Sequence, residues 1–251
     1  GFNSNNGGQF RLSFLKKFEN GSFRIYGKLL DDRTAAYMPM PMKVTGTDSN
    51  PNWGSLSSYN ALTGAMQTIN LTKDFTMGGD GNVLSSDISD GMHSVSKTIG
   101  GEFNYDFGDG WKLVEKARFS ANSGQFIAPF PANVGSYNDI ISSVSGYNSA
   151  VYAGTNTAAS TSGTYMLMHL FNTKLNNFNN FVNDFNLSKK WDGVKVNAGL
   201  YKGVQNISMS WLWNSYLQEV SDNNARMIDV KNALGQSLSP NGLLAYGVPA
   251  W

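Results

Sequence analysis

Only a few groups of residues in this sequence have types and spacing that could do chemistry. Met38-Pro39-Met40-Pro41-Met42 sets three thioethers on one side of an extended chain, and soft thioethers bind Cu(I). The sequence has no cysteine and only His93 and His169 to complete such a site. Methionine as gap filler between packed loops is the plainer reading. Asp80, Asn82, Asp87 and Asp90 offer oxygen ligands of the kind Ca²⁺ takes. Their spacing departs from the D-x-[DN]-x-[DN]-G calcium loop, which favours solvated turn acids. Ser94-x-x-Lys97 matches a short serine–lysine pattern, but its companion motifs are missing. No G-x-S-x-G, G-x-x-x-x-G-K-[ST] or H-E-x-x-H occurs, and adjacent acids such as Asp31-Asp32 need no glycosidase role. We expect no enzyme, no cofactor and no metal.

Side chains that could grip a ligand are more promising. Tyr37, Trp53, Tyr59, Trp211, Trp213 and Tyr216 lie outside the regular alternating segments. Aromatic platforms hold sugars or flat chelates by apolar contact, with a polar tip for hydrogen bonding. The plainer alternative is that they pack loops together. Arg24, Lys28, Lys112, Lys116 and Arg118 form a second group, set by alternation opposite apolar residues.

That alternation defines the elements. In Gln9–Leu30, Phe10, Leu12, Phe14 and Phe18 share one parity, and Arg11, Ser13 and Lys17 the other. After Glu19-Asn20-Gly21 it restarts with Phe23, Ile25 and Leu29 against Arg24, Tyr26 and Lys28. A period of two sends alternate side chains to opposite faces of a strand. Asn-Gly between two such runs marks a hairpin. A second hairpin turns at Gly108-Asp109-Gly110, with Ile99, Phe103, Tyr105 and Phe107 before it and Trp111, Leu113, Ala117 and Phe119 after it. Val114 and Glu115 break the pattern there. A third turns at Asp192-Gly193, between Phe181, Phe185, Leu187 and Trp191 and then Val194, Val196, Ala198 and Leu200.

Aromatics flank every turn: Phe18, Phe107 with Trp111, and Trp191. An interfacial aromatic girdle of a membrane barrel would sit there. The opposite ends are joined by long polar connections over 31–97 and 121–180, and 206–251 reads as a third that does not return to a strand. Within them, residues after Tyr137 suit a short helix, Tyr165–Phe171 suits a strand, and Trp211–Val220 suits a short helix or a bulged strand. Pro39/Pro41 and Pro129/Pro131 favour extended backbone. Short turns on one side and long loops on the other is the asymmetry of outer-membrane barrels.

Composition agrees. Of 251 residues 15% are charged, against about 25% in an ordinary soluble domain. Aromatics reach 13%, too many for a disordered chain. A net charge of +1 gives no field for nucleic acid. No run of about 18 apolar residues suggests a transmembrane helix. The opening GFNSNNGG carries no starting Met or signal peptide, and we expect a piece of a longer protein.

The phrases FRIYGKLLDDRTAAYMPMPM (Phe23–Met42), SDISDGMHSVSKTIGGEFNYDFGDGWKL (Ser86–Leu113), GQFIAPFPANVGSYNDI (Gly124–Ile140), and LNNFNNFVNDFNLSKKW through QNISMSWLWNSYL (Leu175–Leu217) resemble the barrel of TonB-dependent outer-membrane receptors. The likeness is to the large-looped type that carries a carboxypeptidase-regulatory-like domain. It implies an all-β fold: residues 1–251 as an antiparallel transmembrane β-barrel segment with long extracellular loops, in the outer membrane of a Gram-negative bacterium. It also implies active import of a scarce ligand, such as an iron chelate, cobalamin or a glycan, with energy supplied through TonB. Arg24, Lys28, Lys112, Lys116 and Arg118 would then face the lumen or plug. The partners implied are outer-membrane lipid, the TonB complex reached through a missing N-terminal part, and a surface lipoprotein cap. The chain departs from a whole receptor in lacking a plug, a TonB box and barrel-closing strands. Its six clear strands fall short of the eight of a small barrel.

Two alternatives stand beside it: a soluble all-β carbohydrate-binding or adhesion module, and an ungated porin. In the soluble case Phe10, Leu12, Phe23, Ile25, Phe103, Phe185 and Val196 would interdigitate between two sheets. In the barrel they would line one outer surface.

Overall fold

The computed structural model describes residues 5–38, 40–77, 80–222 and 224–245. Pro39, the first four residues of the opening GFNSNNGG and the last six of 206–251 lie outside them. The fold is all-β and antiparallel. Its strands are β1 (Asn6–Phe18), β2 (Gly21–Thr34), β3 (Lys43–Thr47), β4 (Asn50–Gly54), β5 (Lys73–Met77), β6 (Val83–Asp87), β7 (Met92–Gly108), β8 (Trp111–Ser136), β9 (Ser149–Tyr152), β10 (Thr164–Asn177), β11 (Asn180–Trp191), β12 (Val194–Gln205), β13 (Ser208–Glu219), β14 (Ile228–Lys231) and β15 (Leu243–Ala245). One short helix, α1 (Tyr137–Ile140), follows β8.

All three expected hairpins form at the expected turns, with Phe18 opposite Gly21, Gly108 opposite Trp111, and Trp191 opposite Val194. Gly110 and Gly193 take positive φ there, which glycine adopts at no steric cost.

The main sheet has nine strands rather than the six read from alternation. Its plan is a meander of long ribbons. β8 pairs with β10 over its second half and with β11 over its first. β10 pairs with β13, and β11 with β12. Residues 164–191 therefore act as one long strand with a break at 178–179, and 194–219 as another with a break at 206–207. Asparagines bridge the breaks: Asn122 Nδ2 donates to Phe178 O at 3.0 Å, and Asn122 N donates to Asn179 Oδ1 at 2.9 Å. The break is bulge-like and reverses side-chain parity between β10 and β11. Among the described residues the sheet stays open, because β1 and β12 each pair on one side only.

The long connections carry structure that alternation did not reveal. Residues 206–251, expected not to return to a strand, enter the sheet as β13 and β15. Residues 121–180 are largely strand, with α1 after Ser136 as expected. The connection 35–91 holds the β3–β4 and β5–β6 hairpins. Pro129 and Pro131 are tolerated because β8 pairs with β7 only as far as Phe126, which frees that edge.

The connections fold into a cap that encloses the loop end of the sheet on both faces. On one face Tyr59, Met66 and Ile88 pack against Ile127, Met166, Met168, Leu170 and Tyr216. On the other, Tyr137, Ile140, Ile141, Ile228 and Val230 pack with Tyr165 and Leu217. Toward the turns, no such cover lies over the sheet among the described residues.

Candidate functional site

Register defines two contrasting faces below the cap. On the first, Phe10 pairs with Leu29, Phe14 with Ile25, Phe23 with Phe103, Ile99 with Phe119, Phe119 with Phe181, and Phe185 with Leu200. Phe10, Leu12, Phe23, Ile25, Phe103, Phe185 and Val196 all lie on it, and with Phe119 on β8 the face spans six neighbouring strands. Six of the seven are exposed, Leu12 as much as 67%, and Phe103 is half-buried. From Gly21 to Leu29 the face runs about 26 Å at roughly 3.3 Å per residue. Tilted by roughly 35–45°, as barrel strands are, it would stand about 18–21 Å high, somewhat under the roughly 25 Å apolar band of an outer-membrane barrel.

Aromatics gather at its turn end. Phe18 lies 6.3 Å from Phe103 and 6.2 Å from Tyr105, and Tyr105 lies 4.8 Å from Phe107. The Lys189 ammonium sits 5.3 Å from the Trp111 ring and 5.7 Å from Trp191.

The break seen at Val114 and Glu115 involves no bulge. Glu115 takes its place on the apolar face between Phe103 and Phe185, where its carboxylate accepts from Asn183 Nδ2. Val114 sits between Asn104 and Asn186 on the other face.

That second face is polar. It carries Arg24, Lys28, Lys112, Lys116 and Arg118 together, as their parity predicts. Arg24 pairs in register with Glu102, Glu102 with Lys116, and Lys116 with Asp184, so charge alternates along one row. The Arg24–Glu102 ion pair measures 3.8 Å, and Lys112 holds Asp106 at 3.2 Å. Hydroxyls line the rows above: Ser96 Oγ donates to Asn122 Oδ1 at 2.7 Å, and Thr98 and Ser120 share a hydrogen bond of 3.0 Å. A cavity of about 590 Å³ opens over these rows.

The chain matches no protein-family model, no curated protein and no solved structure.

The six aromatics singled out from sequence separate by position. Tyr59 and Tyr216 are enclosed in the cap core, so they offer no platform. Burial pushes the Tyr59 phenol up to about 12, and its hydroxyl donates to Met40 Sδ at 2.9 Å. Burial, and then the charge of Asp74, push the Tyr216 phenol up as well. Tyr37 is exposed, and Trp53 lies exposed on β4.

Trp211, Trp213 and Tyr216 belong to β13 rather than to a loop, which corrects the reading from sequence. Trp211 and Trp213 lie on the polar face, just below the cap, with ring centroids 6.1 Å apart. Trp213 packs 3.8 Å from Phe171, and Phe130 lies 5.7 Å from Phe171 edge-on. His169 joins this shelf with Nδ1 2.8 Å from Ser215 Oγ, and burial lowers its pKa. Phe126, Phe130 and Phe171 escaped notice because they lie within β8 and β10, strands that a search confined to loops passes over.

The thioethers do not converge as a site. Met38 and Met40 pack on the cap core and Met42 is exposed. Among the acids, Asp87 is held by Lys73 at 2.6 Å and caps the turn at Ser89, while Asp90 pairs with Arg33 at 3.0 Å. Among the described residues no cluster of His, Asp or Glu could hold a metal ion.

Proposed function

We propose that this chain is part of the wall of a TonB-dependent outer-membrane receptor. Such a receptor binds a scarce ligand, such as an iron chelate, cobalamin or a glycan, and imports it with energy supplied through TonB. One observation carries the reading: an apolar face, continuous over six strands and uncovered below the cap, backs directly onto a polar, cation-bearing face. A soluble sheet with its greasy side bare would expose far more contiguous apolar area than monomers tolerate. In the receptor that side meets hydrocarbon, the cations line the lumen, and the cap lies outside the membrane. The strand edges at β1 and β12 would continue into further strands of the wall.

The enclosed cores of the cap support a second reading, a soluble all-β binding module, because they pack as a globular domain does. Lipid dependence separates the two. The purified chain is offered detergent micelles, liposomes or plain buffer, and circular dichroism and flotation are followed. The receptor reading expects strand signal and co-flotation only with detergent or lipid. A folded monomer in plain buffer would end it.

A further inference from the structure

The rows of the polar face differ in how their charges are balanced. In the row nearer the turns, Arg24, Glu102, Lys116 and Asp184 alternate in sign from strand to strand. Two rows nearer the cap, Arg11 stands directly opposite Lys28, followed by Thr98, Ser120 and Asn180. Between these rows stands Arg118, opposite Gly100 and Val182. Like charges directly opposite each other across strands are destabilising. No carboxylate forms an ion pair with Arg11, Lys28 or Arg118 among the described residues. Arg11 is met by a neutral group, the Gln9 side-chain oxygen, which in the amide orientation that satisfies both groups accepts from Nε at 2.8 Å and from a terminal guanidinium nitrogen at 3.1 Å. Asn180 Oδ1, on the same row, is buried without a hydrogen-bond partner. The cavity of about 590 Å³ lies over these rows and is bounded by four cations, Arg11, Lys28, Arg118 and the half-compensated Arg24.

We propose that this cavity binds a small polyvalent oxyanion, a solute bearing clustered phosphate or carboxylate groups. The anion supplies the negative charge that the upper rows lack. Guanidinium groups meet planar or tetrahedral oxyanions through paired N–H donors, and Lys28 adds a point charge. The hydroxyls of Thr98 and Ser120 offer further donors at the floor. A hydroxyl or protonated oxygen on the solute meets the acceptor of Asn180. In the row below, Lys116 stands between Glu102 and Asp184 and does not line the cavity, and Arg24 lines it while sharing its charge with Glu102.

The proposal deepens the receptor reading and rests on the polar face being open to solutes. Its test reads solute binding directly, whereas that reading is tested by lipid insertion, so the two can fail separately. The whole chain, folded in detergent, is titrated calorimetrically with tripolyphosphate, with citrate, and with trehalose as an uncharged control. Saturable binding of one tripolyphosphate or citrate per chain is expected, with no heat from trehalose. Binding should weaken at least about ten-fold from low to high salt, as screening of an open charged cluster requires. Lys28→Ala with Arg118→Ala should weaken it by about ten-fold or more, while Lys116→Ala in the compensated row stays within about two-fold. Lys28→Glu, which gives Arg11 a partner, should raise the unfolding temperature and abolish binding, so a folded protein reports the loss. Absence of saturable binding, or an equal loss in Lys116→Ala, would overturn the proposal.

Discussion

Tyr216 donates its hydroxyl to Asp74 Oδ1 at 2.8 Å, although 142 residues separate them. Asp74 lies on β5 in the β2–β7 connection, and Tyr216 lies on β13 of the main sheet. Asn214 Nδ2 donates to the same oxygen at 2.7 Å, and Asn172 Nδ2 donates to Oδ2 at 2.9 Å. One buried carboxylate thus fastens the cap to two strands.

Replacing that carboxylate should loosen the cap. Asp74→Ala takes the carboxylate acceptor from Asn172, Asn214 and Tyr216 at a buried site, with Phe75 O left to Asn214. Each buried neutral donor left unsatisfied costs about 1–3 kcal/mol. Tyr216→Phe removes one charge-assisted bond and should cost about 1.5–3 kcal/mol. Denaturant unfolding measures both, and hydrogen exchange should show β5 and β6 opening first. An Asp74→Ala loss below about 1 kcal/mol would mean the network is dispensable.

Alkaline pH should destabilise the cap through the same burial. The folded-state pKa of Tyr59 is raised to about 12, with desolvation the larger cause and the charge of Asp222 the lesser. An unfolded tyrosine ionises near 10, so above that pH the unfolded chain releases protons that the folded chain keeps. Stability should therefore be full below about pH 10 and fall as pH rises toward 12. Melting temperatures taken across that window check it, with tyrosinate absorbance as a parallel signal. Tyr59→Phe should flatten the decline, and an unaltered slope in that variant would refute the assignment.

Legibility from sequence followed how many faces of a strand are buried. β1, β2, β7, β11 and β12 show one apolar and one polar face, so period two stood out and the three turns were placed correctly. β10 and β13 carry buried residues on both faces at their cap ends, around Tyr165 and Leu217, which erases the contrast between parities there. That is why Trp211–Val220 read equally as a short helix or a bulged strand. The Asp74 network was illegible for a different reason. Its members are polar residues of ordinary type, 98 to 142 residues apart, and nothing local marks them as partners. The basic group could be grouped by parity, but the absence of carboxylates beside Arg11 and Lys28 appears only once the strands are in register.

Glu115 sits on the apolar face with Phe103 and Phe185 to either side, and Asn183 is its hydrogen-bond donor. If that face lies in hydrocarbon, the pair is an expensive way to fill two positions. Substituting both members by apolar residues should then be neutral or stabilising by about 1–2 kcal/mol. Asn183→Val alone strands the carboxylate and should destabilise. Guanidinium unfolding of Glu115→Leu/Asn183→Val and of the single variant in detergent decides it. The expectation falls if the double variant is the less stable of the two.

The sharpest prediction concerns Ile25, which is 44% exposed near the middle of the apolar face. A lysine there meets different media in the two readings. In hydrocarbon at mid-depth it costs about 2–4 kcal/mol. On a solvent-exposed sheet it changes stability by no more than about 0.5 kcal/mol. Leu62→Lys, at a cap position that is 90% exposed, serves as the control and should be silent in both cases. Folding titrations into lipid vesicles yield the two differences under one condition. A large penalty at Ile25 beside none at Leu62 supports hydrocarbon against the six-strand face. Equal, small effects at both sites would return that face to water and leave the soluble module as the better account.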